Sequence, residues 1–184
     1  AIPDDTRMNE LEGTVKAIVC SHGHLDHIGA IPKLAHRYNA PIIGTPYTIE
    51  LIRQQIAGEQ KFGVNNKLFA LKHGQKYTLS QHLTLEFVRM QHSIIDTATV
   101  VLHTPRGALV YACDYKLDRT PVIGDAPDFA RLRQIGKEGV LALITESTYI
   151  DNRGRAPSER IARDVVRDTI TSYEDDKNAI LVST

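Results

Sequence analysis

Ser21-His22-Gly23-His24-Leu25-Asp26-His27 places three imidazoles and a carboxylate within six residues, directly after an apolar run. Val15-Lys16-Ala17-Ile18-Val19-Cys20 reads as a short, mostly buried strand. Beyond the cluster, Ile28, Ile31, Leu34, Ala35 and Tyr38 recur at three- and four-residue steps, which predicts a helix over 28–38. The four ligand-type side chains therefore sit on a turn between strand and helix. An extended His-x-His segment aims alternate side chains at one point, and the next two residues turn toward a second, so one segment can serve two ions. Imidazole nitrogen and carboxylate oxygen suit zinc, with manganese or iron the other candidates, and no thiolate is required. The alternative is three surface loop histidines beside a helix-capping Asp26; dense His/Asp clusters at ligand spacing favour the metal.

Composition sets wide bounds around this cluster. The chain has 184 residues, 42% apolar and 24% charged, which fits one globular domain with room for part of a second. No apolar run approaches the roughly 20 residues that span a bilayer. The first residues lack a basic-then-apolar secretory pattern, so the cytosol is the expected location. Basic and acidic residues number 22 each, so bulk charge does not point to nucleic acid and any RNA contact must come from local patches. Cys20 and Cys113 form no short metal-ligand pair and read as small buried residues rather than a disulfide.

In chain order, residues 1–13 are polar and contain Pro3, so they read as a loop or exposed edge. Residues 41–44 predict a strand and Pro46 opens a helix through about Ile56. Residues 67–71, 75–79 and 83–88 are short β-like runs, and 98–102 and 108–112 flank Pro105-Arg106-Gly107 as a hairpin. A short helix is expected over 129–135, a buried strand over 140–144, a helix over 158–173 and a final strand over 179–184. Helices and strands thus mix along one chain, an α/β pattern independent of the histidine cluster. His92 and Asp114 each follow a strand, as the cluster does, and strand exits are where sites of layered α/β folds form.

The segment His22-Gly23-His24-Leu25-Asp26-His27 resembles the His-x-His-x-Asp-His signature of the metallo-β-lactamase superfamily. Ser21 to Lys33, Gln91 to Thr97, His103-Thr104-Pro105-Arg106-Gly107 and Ile144 to Tyr149 resemble, in order, the RNase J group of β-CASP nucleases, most closely its archaeal members. The resemblance implies a four-layer αββα sandwich over residues 1–145 and the beginning of a β-CASP domain over 146–184. It implies two divalent ions, zinc or manganese. His22, His24 and His92 would hold one, Asp26 and His27 the other, and Asp114 would bridge them. It also implies a ribonuclease that cleaves phosphodiester bonds with water as nucleophile, 5′ to 3′ and with internal cutting as a second mode.

Asp26, Asp114 and Glu146 are then the catalytic candidates. Glu146-Ser147-Thr148 matches the β-CASP branch and not plain metallo-β-lactamases or thioesterases, whereas read alone Glu146 is an ordinary glutamate at a strand end. Arg153 and Arg155 form a basic loop that either touches RNA phosphates or is simply solvated. The chain reads as an internal piece of a longer protein, because the fold normally opens with several strands before the cluster. Its final metal-ligand histidine has no counterpart after His103, and His36, His73, His82 and His103 read as structural or surface residues. RNA is the expected partner, no membrane is involved, and any homodimer would form through regions outside this chain. The rival readings are an endonuclease of the RNA 3′-end-processing type, a generic metallohydrolase of small esters, and an inactive RNA-binding scaffold.

Overall fold

The computed structural model describes residues 3–10 and 15–173; the strand expected over 179–184 lies outside them. Two sheets carry the architecture. The first is parallel and three-stranded, β1 (Ile18–Val19), β2 (Ile42–Gly44) and β3 (Leu68–Ala70), in that order. The second holds β4 (Lys76–Ser80), β5 (Leu83–Arg89), β6 (Ala98–Thr104), β7 (Gly107–Cys113) and β8 (Val140–Thr145). Its first four strands run antiparallel and β8 joins β7 in parallel.

Side-chain alternation along single strands assigns the layers, because successive residues point to opposite faces. In β2, Ile42 packs with Ile28, Ile31, Ala35, Ile49 and Ile52 on the helical side. Its neighbour Ile43 packs with Leu71, Leu85, Phe87 and Ala98 between the two sheets. In the second sheet Val100 faces that same inter-sheet core, while Val88, Val101, Ala108 and Val110 pack with Ile135. The outer layers are α3 (Pro46–Gly58) on one side and α4 (Phe129–Glu138) on the other. Four layers result, helix on sheet on sheet on helix, as expected.

Three local features differ from the sequence reading. The helix expected over 28–38 is broken into α1 (Leu25–Ile28), α2 (Ile31–Leu34) and a 3₁₀ turn at Ala35–Arg37. Gly29 caps α1 and Pro32 sits in the first turn of α2, where its missing N–H costs nothing, so the apolar spacing is kept while the backbone is interrupted. The strand expected to be buried at 140–144 is exposed: as the outermost strand of its sheet among the described residues, β8 leaves Leu141 at 54% and Leu143 at 63% exposure. The polar start of the chain contains a 3₁₀ turn at Thr6–Asn9.

A buried ion pair fastens α4 to the second sheet. Glu86 on β5, 1% exposed, accepts from Arg131 Nε at 2.6 Å and Nη2 at 2.8 Å. The forked geometry uses both carboxylate oxygens, and His103 Nε2 reaches Oε2 at 2.6 Å. Burial pushes the Glu86 carboxyl up, but the hydrogen bonds from Arg131 and His103 outweigh it and hold the group below its usual range. After β8, α5 (Glu159–Thr171) is started by Asp118, which accepts from Glu159 N at 2.8 Å and Ser158 Oγ at 3.0 Å. No helix among the described residues is long and apolar enough to cross a membrane.

Candidate metal centre

The cluster begins where β1 ends. Ladder bonds Ile18 N to Pro41 O and Cys20 N to Ile43 O hold the strand against β2, and Ala98 N donates to Ser21 O at 2.9 Å, tying its exit to the second sheet. His24 keeps an extended backbone, with φ −66° and ψ 149°, and α1 starts at the next residue. His22 and His24 therefore lie on one side of an extended segment, while Asp26 and His27 occupy the first helical turn, as the spacing predicts. Gly23 lies between them against α3: a Cβ there would stand 2.4 Å from Leu51 Cδ1, so any side chain would displace Leu51.

His92 follows β5 and Asp114 follows β7, and both side chains reach the same point. His24 Nδ1 lies 3.1 Å from His22 Nε2 and 3.1 Å from His92 Nε2. Asp114 Oδ2 lies 3.9 Å from His22 Nε2, 3.6 Å from His92 Nε2 and 3.3 Å from His27 Nε2. Asp26 Oδ2 stands 3.5 Å from His27 Nε2. Three groups follow, His22, His24, His92 and Asp114 in one, Asp26, His27 and Asp114 in another, and His22, His27 and Cys113 in a third, with ligand atoms within 4.8 Å of one another in each. Asp114 belongs to the first two. All six residues singled out as metal ligands in the sequence are thus brought together.

The electrostatics of this assembly suit cations. His22 is fully buried, and burial, followed by the neighbouring imidazoles of His27, His92 and His24, pushes its pKa down to about 4 against the opposing charge of Asp114. Burial and His24 likewise lower that of His92, with Asp114 and Glu146 acting the other way. Both rings are consequently neutral at pH 7, the form in which imidazole offers a lone pair. Nitrogen lone pairs and carboxylate oxygens directed at one another repel unless a cation lies among them. The donor set fits a divalent ion on its chemistry, nitrogen and oxygen atoms with anionic charge supplied by Asp26 and Asp114.

Glu146, at the exit of β8, is half-buried and accepts from Thr148 N at 3.1 Å. It is not among the converging ligand groups, although its charge is felt at His92. Arg153 and Arg155 are exposed on the loop between β8 and α5. A pocket of about 560 Å³ opens beside His92, where the cations Arg89, Lys116 and Arg163 share the lining with the acids Asp96, Asp125 and Glu159. His36 stacks on Phe62, His73 faces Asp96 and Thr97, and His103 pairs with Glu86, so these histidines have structural partners.

Two neighbours of the centre were not singled out by sequence. Ser21, 3% exposed, sets its hydroxyl 3.0 Å from His22 Nδ1, and the buried thiol of Cys113 lies 3.6 Å from His27 Nδ1. Adjacency to His22 and to Asp114 was the available signal, but Ser and Cys beside ligands are too common to mark a role. Both cysteines are free and buried, and burial raises the Cys20 thiol to about 12.

Comparison with known proteins follows the same lines. A family model described as the β-lactamase superfamily domain matches residues 4–134. Ribonuclease J of Methanocaldococcus jannaschii is 52% identical over 183 residues, covering 100% of this chain and 41% of its own. Ribonuclease J of Pyrococcus abyssi is 48% identical over 169 residues, covering 91% of this chain and 37% of its own. The chain therefore spans about two fifths of the length of these relatives. A solved B3 metallo-β-lactamase with an active-site glutamic acid superposes with a TM-score of 0.51 at 16% identity, over 91% of this chain and 75% of that one, a likeness of fold alone.

Proposed function

The chain belongs to the metallo-β-lactamase superfamily and is homologous along its whole length to ribonuclease J proteins, and from that premise we propose that it forms the metal-binding part of a ribonuclease acting 5′ to 3′ on RNA. The observation that carries this reading is the meeting of His22, His24, His92, Asp26, His27 and Asp114 in two groups that share Asp114. His22, His24 and His92 would hold one divalent ion and Asp26 and His27 the second, with Asp114 available to both. The fold implies divalent metal binding; zinc is the proposed ion because imidazole nitrogens dominate the set, with manganese the alternative.

Two such ions, when bound, lower the pKa of water and offset the negative charge that builds up on a scissile phosphodiester. The protein's part is positioning and proton handling. Asp26, 78% exposed at its side chain, is open to solvent and takes up the proton of the attacking water. His22, buried and neutral, supplies a rigid anchor for the rest. Glu146, half-buried near His92, holds the loop that follows β8 through its bond to Thr148 N and orients substrate at the rim. The pocket beside His92 has Arg89, Lys116 and Arg163 on its wall alongside Asp96, Asp125 and Glu159, so individual cations rather than a basic patch face the RNA backbone there, and Arg153 and Arg155 offer separate cationic groups on the exposed loop after β8.

In this reading residues 1–145 form the metallo-β-lactamase domain and 146–184 begin a β-CASP domain, with the protein acting in the cytoplasm. Any homodimer forms through regions outside the chain. The test uses the full-length protein, zinc or manganese, and RNA labelled at its 5′ end, carrying either a monophosphate or a triphosphate. Release of labelled mononucleotide, faster from the monophosphate, is expected. Internal fragments alone would replace the exonuclease by an RNA 3′-end-processing type of endonuclease, and turnover of a small ester without RNA cleavage would replace the ribonuclease altogether.

A further inference from the structure

His22 shows its two ring nitrogens to different surroundings. Nε2 faces the convergence, 3.1 Å from His24 Nδ1 and 3.9 Å from Asp114 Oδ2. Nδ1 faces Ser21 Oγ at 3.0 Å, with Cys113 Sγ at 3.9 Å. The consecutive residues Cys113 and Asp114 thus straddle one imidazole, sulfur on the Nδ1 side and carboxylate on the Nε2 side. Cys113 makes this placement with a left-handed backbone, φ 55°, at a register shift where β7 meets β8.

Ser21 connects the two halves. Its hydroxyl donates to Cys113 Sγ at 3.1 Å. With the hydroxyl proton directed at sulfur, the oxygen has only lone pairs left for Nδ1, and the 3.0 Å contact is then satisfied by a hydrogen on Nδ1. Neutral imidazole has one such hydrogen, which leaves Nε2 bare. The backbone of Ser21 is pinned at the same time by Ala98 N donating to its carbonyl at 2.9 Å.

We infer that Ser21, backed by Cys113, is a positioning residue that fixes His22 as the Nδ1–H tautomer and so presents Nε2 as a ready metal ligand. The inference rests on the metal-binding reading given above and adds the group that sets ligand identity at His22. It also decides against Cys113 as a ligand. His22, His27 and Cys113 do lie close enough to form a third ligand group, but that group would use the ring edges facing sulfur and turn a protonated Nε2 toward the shared Asp114. Partners that orient a ligating histidine through its other nitrogen typically change metal affinity 10–100-fold when removed.

The test has three readouts on the full-length protein. In the metal-free, ¹⁵N-histidine-labelled protein, long-range ¹H–¹⁵N correlation of the His22 ring should show a protonated Nδ1 and an unprotonated Nε2. Zinc affinity, measured by competition with a chromogenic chelator, should fall about 10–100-fold in Ser21→Ala and recover in Ser21→Thr, which keeps the hydroxyl. The cobalt-loaded protein should show no thiolate-to-metal charge-transfer band, and Cys113→Ser should leave its spectrum unchanged. An Nε2–H tautomer in the parent, an affinity within twofold in Ser21→Ala, or a thiolate band abolished by Cys113→Ser overturns the inference. Failure of the parent protein to bind zinc overturns the metal reading itself, whatever the tautomer.

Discussion

His24 Nδ1 and His92 Nε2 stand 3.1 Å apart although 68 residues of chain separate the two histidines. One leaves β1 and the other leaves β5, so their meeting is a property of how the two sheets pack and not of any local segment. Removal of either side chain should release metal. His24→Ala in the full-length protein should lower bound metal, read by elemental analysis, and reduce RNA cleavage by more than about 100-fold, beyond the range of outer-shell substitutions. Full metal content with full activity would sink the assignment.

Asp114 belongs to two ligand groups, so its loss should differ in kind from that of a terminal ligand. Asp114→Asn should weaken both metal steps in a titration, whereas His92→Ala should weaken one and leave the other. Identical loss of a single step in both variants would show that Asp114 does not bridge.

The depressed pKa of His22, about 4 against 6.5 for the free group, makes stability of the metal-free protein depend on pH. Between those values the unfolded chain binds a proton that the folded ring refuses, so stability rises with pH across this window. The contribution is fully present above pH 6.5, on the order of 3 kcal/mol, and is lost as pH falls toward 4. Urea unfolding of the metal-free protein between pH 4 and 8 should show this slope, and His22→Gln should flatten it.

Glu86 and Arg131 supply a second pH-dependent element with the opposite chemistry and the same sign. The carboxyl is held below its ordinary value of 4.5, so its stabilisation is present above that value and fades as pH falls through the lower folded value. Glu86→Gln should destabilise the fold by about 1–3 kcal/mol, since the half-buried Arg131 loses its forked charge-assisted bonds to Glu86 but keeps Glu138. Zinc affinity should be unaffected, because the pair ties α4 to β5 and touches no ligand.

Glu146→Gln separates orientation from metal retention. Bound metal should stay at the parent level while RNA cleavage drops at least about 10-fold, within the range expected for loss of a positioned carboxylate. Loss of metal in this variant would instead move Glu146 into the ligand set.

The ligand segment was legible because its chemistry is local. His22, His24, Asp26 and His27 lie on one turn, and their spacing alone fixes which can point together. The α/β class was likewise legible in the mix of helical and strand-like runs, whereas the two-sheet sandwich followed from the resemblance; the structure then buries Ile42 and Ile43 on opposite faces of β2. The break between α1 and α2 was less visible, because apolar spacing survives an interruption that only backbone hydrogen bonds reveal. The exposure of β8 was hidden for a related reason. Apolar composition says that a strand seeks cover, while its place at the sheet edge decides how much it receives.

By itself, then, the sequence determined the α/β class of fold and the four ligand-type residues of the 22–27 segment with the chemistry they favour, since these depend on residue type and short-range periodicity, while the resemblance added His92 and Asp114. Only the tertiary structure decided that His92 and Asp114 reach the histidine segment from separate strands. It alone set Ser21 and Cys113 on the far side of His22, and gave Glu86 its partners in Arg131 and His103. Apart from Ser21 beside His22, those contacts join residues distant in the chain, and their distances follow from the packing of two twisted sheets, a cooperative outcome of the whole core that no local pattern encodes.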